Sequence, residues 1–125
     1  MSRKAAGADA PAPDEPYGGT VVSGGQVFCS GTLGIDAATG RAPESVAAQA
    51  EQALINLAGL LSASGSSMRR LVKTTVYYIS TEDFAAINDV YARHVPVPPP
   101  ARSVVPCSAL PDGHLFCIDA IATLD

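Results

Sequence analysis

A stretch of helical periodicity from Ser45 to about Ser64 limits what this chain can fold into more than any other feature. Its apolar residues Val46, Ala50, Ala53, Leu54, Leu57, Leu60 and Leu61 recur at helical spacing and so share one face. Ser45 offers N-cap chemistry and Gly65 a natural stop. A helix with one apolar face must cover something. The run that follows, Val72 to Ile79, is dense in β-branched and aromatic residues, which favours a central strand.

The flanking segments complete the pattern. Thr20-Val21-Val22, a turn at Ser23-Gly24-Gly25 and the run Gln26 to Gly31 form a hairpin signal, and Gly34 to Pro43 reads as a loop. Ser80 to Asp83 offer N-cap chemistry for a second helix through about His94, with Phe84, Ile87, Val90 and Tyr91 on its apolar face. A connection rich in proline (Pro96, Pro98, Pro99, Pro100) leads to a buried strand, Arg102 to Cys107. The turn at Leu110 to Gly113 then leads to a last strand, Leu115 to Thr123. The order β-β-α-β-α-β-β predicts an α+β domain, a mixed sheet with two helices packed on one face. Residues 1–15, rich in Ala, Pro, Gly and Asp, read as a flexible lead-in to a single domain over 16–125.

Composition narrows the function. The chain has 8 Lys plus Arg against 12 Asp plus Glu, with the basic residues scattered, so no patch for nucleic acid is expected. Scarce charge on a small apolar domain points to a homo-oligomer. No run approaches the roughly 20 apolar residues of a membrane span, and Met1-Ser2-Arg3-Lys4 opens no signal peptide, so a cytoplasmic protein is expected. Cys29, Cys107 and Cys117 lie in apolar runs and read as reduced thiols. No CxxC spacing or paired-His motif suggests a metal, and no phosphate loop suggests a cofactor. His94 and His114 flank loops and are expected to face solvent.

The segment Pro99-Pro100-Ala101-Arg102-Ser103 stands out chemically, because an arginine among Val and Cys needs a partner. Its fork suits a carboxylate. A structural ion pair, to Asp119 or to a neighbouring subunit, and a ligand clamp weigh about equally on the residues alone.

Taken together, Phe28-Cys29-Ser30-Gly31, Val46-Ala47-Ala48-Gln49-Ala50, Val72-Lys73-Thr74-Thr75-Val76, Asp83 to Asn88 and Pro100-Ala101-Arg102-Ser103 resemble the RidA (reactive intermediate deaminase A, or YjgF) family. The resemblance runs from Pro16-Tyr17 to Thr123. It implies a chorismate-mutase-like fold, a homotrimer with ligand clefts between subunits, and hydrolysis of small enamine or imine carboxylic acids to keto acids and ammonia, with no cofactor. Arg102 matches the family arginine that clamps the substrate carboxylate. Ser30, Gly31, Tyr17 and Asn88 match positions that line the pocket.

Two positions depart from the deaminase pattern. Val104 stands where deaminase members generally carry a cysteine, and Cys117 where they carry a glutamate that positions water. Asp119, two residues along the same strand, faces the same side as Cys117. The catalytic set implied is Arg102 with Cys117 and Asp119; the substrate-binding set is Tyr17, Ser30, Gly31, Asn88, Arg102 and Val104. A reactive role for Cys117 requires a lowered thiol pKa, which a nearby Arg102 would supply. The alternative is a non-catalytic protein on the same fold that binds a small carboxylate and tunes a partner.

Overall fold

The apolar stripe of the long helical stretch lies against a sheet, as its periodicity requires. The computed structural model describes residues 3–6 and 16–124. Strands β1 (Arg3–Ala6), β2 (Thr20–Ser23), β3 (Gln26–Leu33), β4 (Leu71–Tyr78), β5 (Ala101–Pro106) and β6 (Phe116–Thr123) form a 6-stranded sheet in the order β1-β2-β3-β6-β4-β5. Neighbours are antiparallel except β4 and β5, which run parallel. Helices α1 (Val46–Ala63) and α2 (Phe84–His94) cover one face.

Local chemistry explains the boundaries. Ser45 Oγ accepts the Ala48 N–H at 3.1 Å, a cap that contributes about 1 kcal/mol. Past the end of α1, Gly65 takes φ +87°. Gly24 and Gly25, at φ +61° and +76°, make the tight β2–β3 turn whose twist matches the strands. Ala50, Ala53, Leu54, Leu57 and Leu61 of α1 are fully buried with Val27, Ile118 and Phe116 of the sheet. Each fully buried Leu or Phe contributes roughly 1.5–3 kcal/mol.

Three expectations need correction. Arg3–Ala6, expected in a flexible lead-in, pairs with β2 as an edge strand; backbone ladders require no apolar alternation, so composition carries no signal for it. Residues 7–15 of that segment lie outside the described residues. β5 is not buried but is the opposite edge of the sheet, half-exposed or exposed along its length. A β-branched run reads the same whether one neighbour or two flank it. His114 is buried rather than solvent-facing, and His94 is half-buried with its Nε2 2.6 Å from Glu51 Oε2.

Candidate functional site

The register decides which residues meet. Thr74, Val76 and Tyr78 of β4 oppose Arg102, Val104 and Pro106 of β5, and their side chains turn to the helix-covered face. Arg102 therefore lies under α2. Its Nη1 donates to Asn88 Oδ1 at 2.8 Å, and its guanidinium carbon sits 4.7 Å from the Tyr91 ring centroid and 5.8 Å from that of Phe84. The aromatic faces hold the planar cation by cation–π attraction, worth about 0.5–2 kcal/mol. Among the described residues no carboxylate lies within ion-pair distance of Arg102. A cleft lined by Asn88, Tyr91, Val95, Pro99, Pro100 and Arg102 opens beside it. The prolines give the cleft a wall with fixed backbone angles. Val104 follows on the same face, half-buried against the core.

A second group forms at a β-bulge. Cys29 pairs with Ala120 and Thr32 with Ile118, so Ser30 and Gly31 together oppose Asp119. Ser30 donates its backbone N–H to Gly19 O at 2.9 Å and its Oγ to Gly18 O, tying the bulge to the segment before β2. Tyr17, exposed, lines a cleft of about 480 Å³ with Ser30, Gly31 and Asn56. Asn56 fixes the far wall by donating Nδ2 to Leu33 O and Ile35 O at 3.0 and 2.9 Å.

Cys117 and Asp119 alternate with the buried Phe116, Ile118 and Ala120, so they face away from the helices. Tyr77 on β4 donates its hydroxyl to Asp119 Oδ2 at 2.9 Å. That bond to a carboxylate, with burial, raises the Tyr77 pKa above its ordinary value. Burial first, and then the Asp119 charge, push the Cys117 thiol up to about 11. The Cβ of any residue larger than glycine at position 31 would sit 3.0 Å from Cys117 Sγ, so Gly31 leaves this thiol room.

The structure thus joins Arg102 with Asn88 and Val104, Tyr17 with Ser30 and Gly31 in one cleft, and Cys117 with Asp119 on the sheet face away from the helices, where Gly31 meets the Cys117 thiol. It does not bring Arg102 together with Cys117 and Asp119 within the chain. Arg102 and Asp119 lie on opposite faces of the sheet, so the structural ion pair between them does not form. For the same reason Arg102 does not lower the Cys117 thiol; its neighbour is a carboxylate, and the pKa goes the other way. The sequence reading put Phe84 and Tyr91 on the apolar face of the second helix and Tyr77 within a strand run, and gave no role to the Tyr77 hydroxyl or the Tyr91–Phe84 platform. The signal available was Tyr77 at alternating register with Thr75 on a strand next to Asp119, legible only once β4 and β6 are paired.

Comparison with known proteins supplies the family. A protein-family model described as Endoribonuclease L-PSP matches residues 7–124. The chain is 41% identical over 116 residues to the chloroplastic Reactive Intermediate Deaminase A of Arabidopsis thaliana, covering 92% of this chain and 62% of the plant protein. It is 40% identical over 116 residues to the 2-iminobutanoate/2-iminopropanoate deaminase of Capra hircus, covering 92% of this chain and 85% of that one. Among solved structures, E. coli TdcF with bound serine superposes with a TM-score of 0.86 at 34% identity, covering 96% of this chain and 98% of that one.

Proposed function

Because this chain belongs to the RidA (YjgF) family, we propose that it hydrolyses small imine or enamine carboxylic acids to keto acids and ammonia. The observation that carries this reading is the Arg102 guanidinium, which has no carboxylate partner among the described residues. It is braced by Asn88 and two aromatic rings at the mouth of a cleft. A charge so held costs less to dock on a ligand carboxylate, because its side-chain entropy is already lost.

The chemistry asked of the site is modest. Water adds to the imine carbon as one of its protons passes to nitrogen; the hydroxyl of the resulting carbinolamine then gives up its proton to the amine as the C=O forms, the C–N bond breaks and ammonia leaves. Arg102 would bind the carboxylate, while Ser30, Gly31 and Tyr17 shape the pocket. Asp119 would take the proton from water and return it to the amine, held in place by Tyr77. The thiol of Cys117, at about 11, stays protonated near neutral pH and fits a filler beside Gly31 better than a base.

Arg102 and Asp119 face opposite sides of one sheet, so a complete pocket requires groups from another copy. We infer a homotrimer with sites between subunits, in a cytoplasmic protein. Among the described residues no helix is long and apolar enough to cross a membrane.

The test is ammonia release from freshly generated 2-iminopropanoate and 2-iminobutanoate. The wild type should exceed the uncatalysed rate, and Arg102→Ala should abolish the excess while Arg102→Lys retains part of it. No acceleration by the wild type would refute imine hydrolysis; an unaffected Arg102→Ala would refute the clamp.

A further inference from the structure

The connection after β3 and the turn before β6 face each other across a cleft of about 410 Å³, lined by Arg41, Gln49, Asp112 and His114 among others. It shares only Ile35 with the Tyr17–Ser30 cleft and nothing with the cleft of Arg102. Its walls are tied together from beneath. Gln49 is buried, donates Nε2 to Pro43 O and accepts the Leu115 N–H on Oε1, each at 2.8 Å. Gly34 packs so closely on this floor that a Cβ there would sit 2.3 Å from the Gln49 carbonyl oxygen.

Each wall is closed on itself as well. Asp36 donates its N–H to Arg41 O at 2.8 Å, and His114 donates its N–H to Pro111 O at 3.0 Å. Between Pro111 and His114, Asp112 takes the left-handed φ of +52° that Asp tolerates better than most residues. The cleft is therefore preorganised rather than a gap between loose loops.

Three side chains in it have no structural employment. Arg41 and Asp112 carry opposite charges into one cleft, yet neither forms an ion pair with the other or with any described residue. His114 is 8% exposed, and its buried Nδ1 has no hydrogen-bond partner. A bare acceptor lone pair is tolerated more readily than a bare N–H, which leaves Nδ1 as the bare nitrogen and the Nε2 N–H as the donor. That N–H also makes no hydrogen bond among the described residues, and it remains as a donor for a ligand.

Charge selects the ligand class. A simple anion meets Arg41 but is opposed by Asp112; a simple cation meets Asp112 but is opposed by Arg41. Among the described residues no three metal-ligating side chains gather. We propose that this cleft binds a small zwitterionic α-amino acid, its carboxylate on Arg41 and the His114 N–H, its ammonium on Asp112. The site is separate from the Arg102 clamp and stands whether or not the imine reaction does.

The experiment is isothermal titration of L-alanine, acetate and methylammonium into the full chain and its Arg102→Ala variant, which removes the other carboxylate-binding group. L-Alanine should bind saturably to both, and more tightly than acetate or methylammonium. In the Arg102→Ala background, Arg41→Ala and Asp112→Gly should each weaken L-alanine binding about tenfold or more, as expected for one lost charged hydrogen bond. Arg41 is exposed and glycine suits the backbone at 112, so both variants should fold. Failure of L-alanine to bind the Arg102→Ala protein overturns the proposal. So does binding indifferent to Arg41→Ala. Acetate binding as tightly as L-alanine, and tightened by Asp112→Gly, would make this a plain anion site and overturn it equally.

Discussion

The Tyr91 side chain serves two neighbours at once, and a double-mutant cycle separates them. Its hydroxyl lies 2.7 Å from Thr74 Oγ1, with Thr74 fully buried and Tyr91 4% exposed. Its ring lies under Arg102. Tyr91→Phe keeps the ring and strands the Thr74 hydroxyl without its partner; Thr74→Val does the converse to the Tyr91 hydroxyl. Each should destabilise the protein by about 1–3 kcal/mol, the desolvation penalty of one unpaired buried polar group. The double variant leaves neither group stranded and should return to within about 1 kcal/mol of the wild type. Urea unfolding at matched chain concentration reads these differences, since assembly adds its own stability. Because the ring remains, Tyr91→Phe should leave KM for the imine acid unchanged. Tyr91→Leu removes the platform and should raise KM about 2- to 30-fold, the equivalent of about 0.5–2 kcal/mol. Additive single costs, or a KM that rises as much for Tyr91→Phe as for Tyr91→Leu, would refute the reasoning.

Further expectations concern the sheet face and the floor beneath the amino-acid cleft. Asp119→Asn should lower kcat for imine hydrolysis by roughly 10²–10⁴-fold, the range for a lost acid–base group, with little change in KM; an unchanged kcat would remove Asp119 from the proton path. The same substitution removes the charge that helps raise the Cys117 thiol, so the pH profile of Cys117 alkylation should shift downward from about 11. Cys29 and Cys117 both have thiols raised from 9.0 to about 11. Above pH 9 the unfolded chain loses these protons first, so stability should be fully present below about pH 9 and fall toward pH 11. Urea midpoints across that window check it, and Cys117→Ser should flatten part of the slope. Gly34→Ala would drive a methyl group to 2.3 Å from the Gln49 carbonyl oxygen, and should lower Tm sharply or abolish soluble folding. A Gly34→Ala protein as stable as the wild type would show that the β3–α1 connection yields.

Much of the fold was legible because its signals are local. The α1 periodicity, the Ser45 cap, the glycines at 24, 25 and 65, and the β-branched run of β4 each report on a backbone conformation through their own chemistry. Edge strands report nothing comparable. β1 has no apolar alternation to read, and β5 has β-branched residues like those of a central strand while lying at the rim. His114 was misjudged because a loop position says little about depth. The short turn at Pro111–Gly113 returns the His114 N–H to Pro111 O, and the ring lines the cleft while remaining buried.

The sequence by itself determined the family resemblance, the element order and the residue types at each matched position, including Val104 and Cys117. These are properties of the chain read one segment at a time. Only the tertiary structure decided which of those residues meet. Strand pairing sets β5 beside β4 and β6 between β3 and β4, and the alternation of side chains then sends Arg102 to the helix side and Asp119 to the other. The same pairing delivers Tyr77 to Asp119, Tyr91 to Arg102, and Arg41 and Asp112 to one cleft. Partners far apart in the chain become neighbours through sheet register, which no single segment encodes.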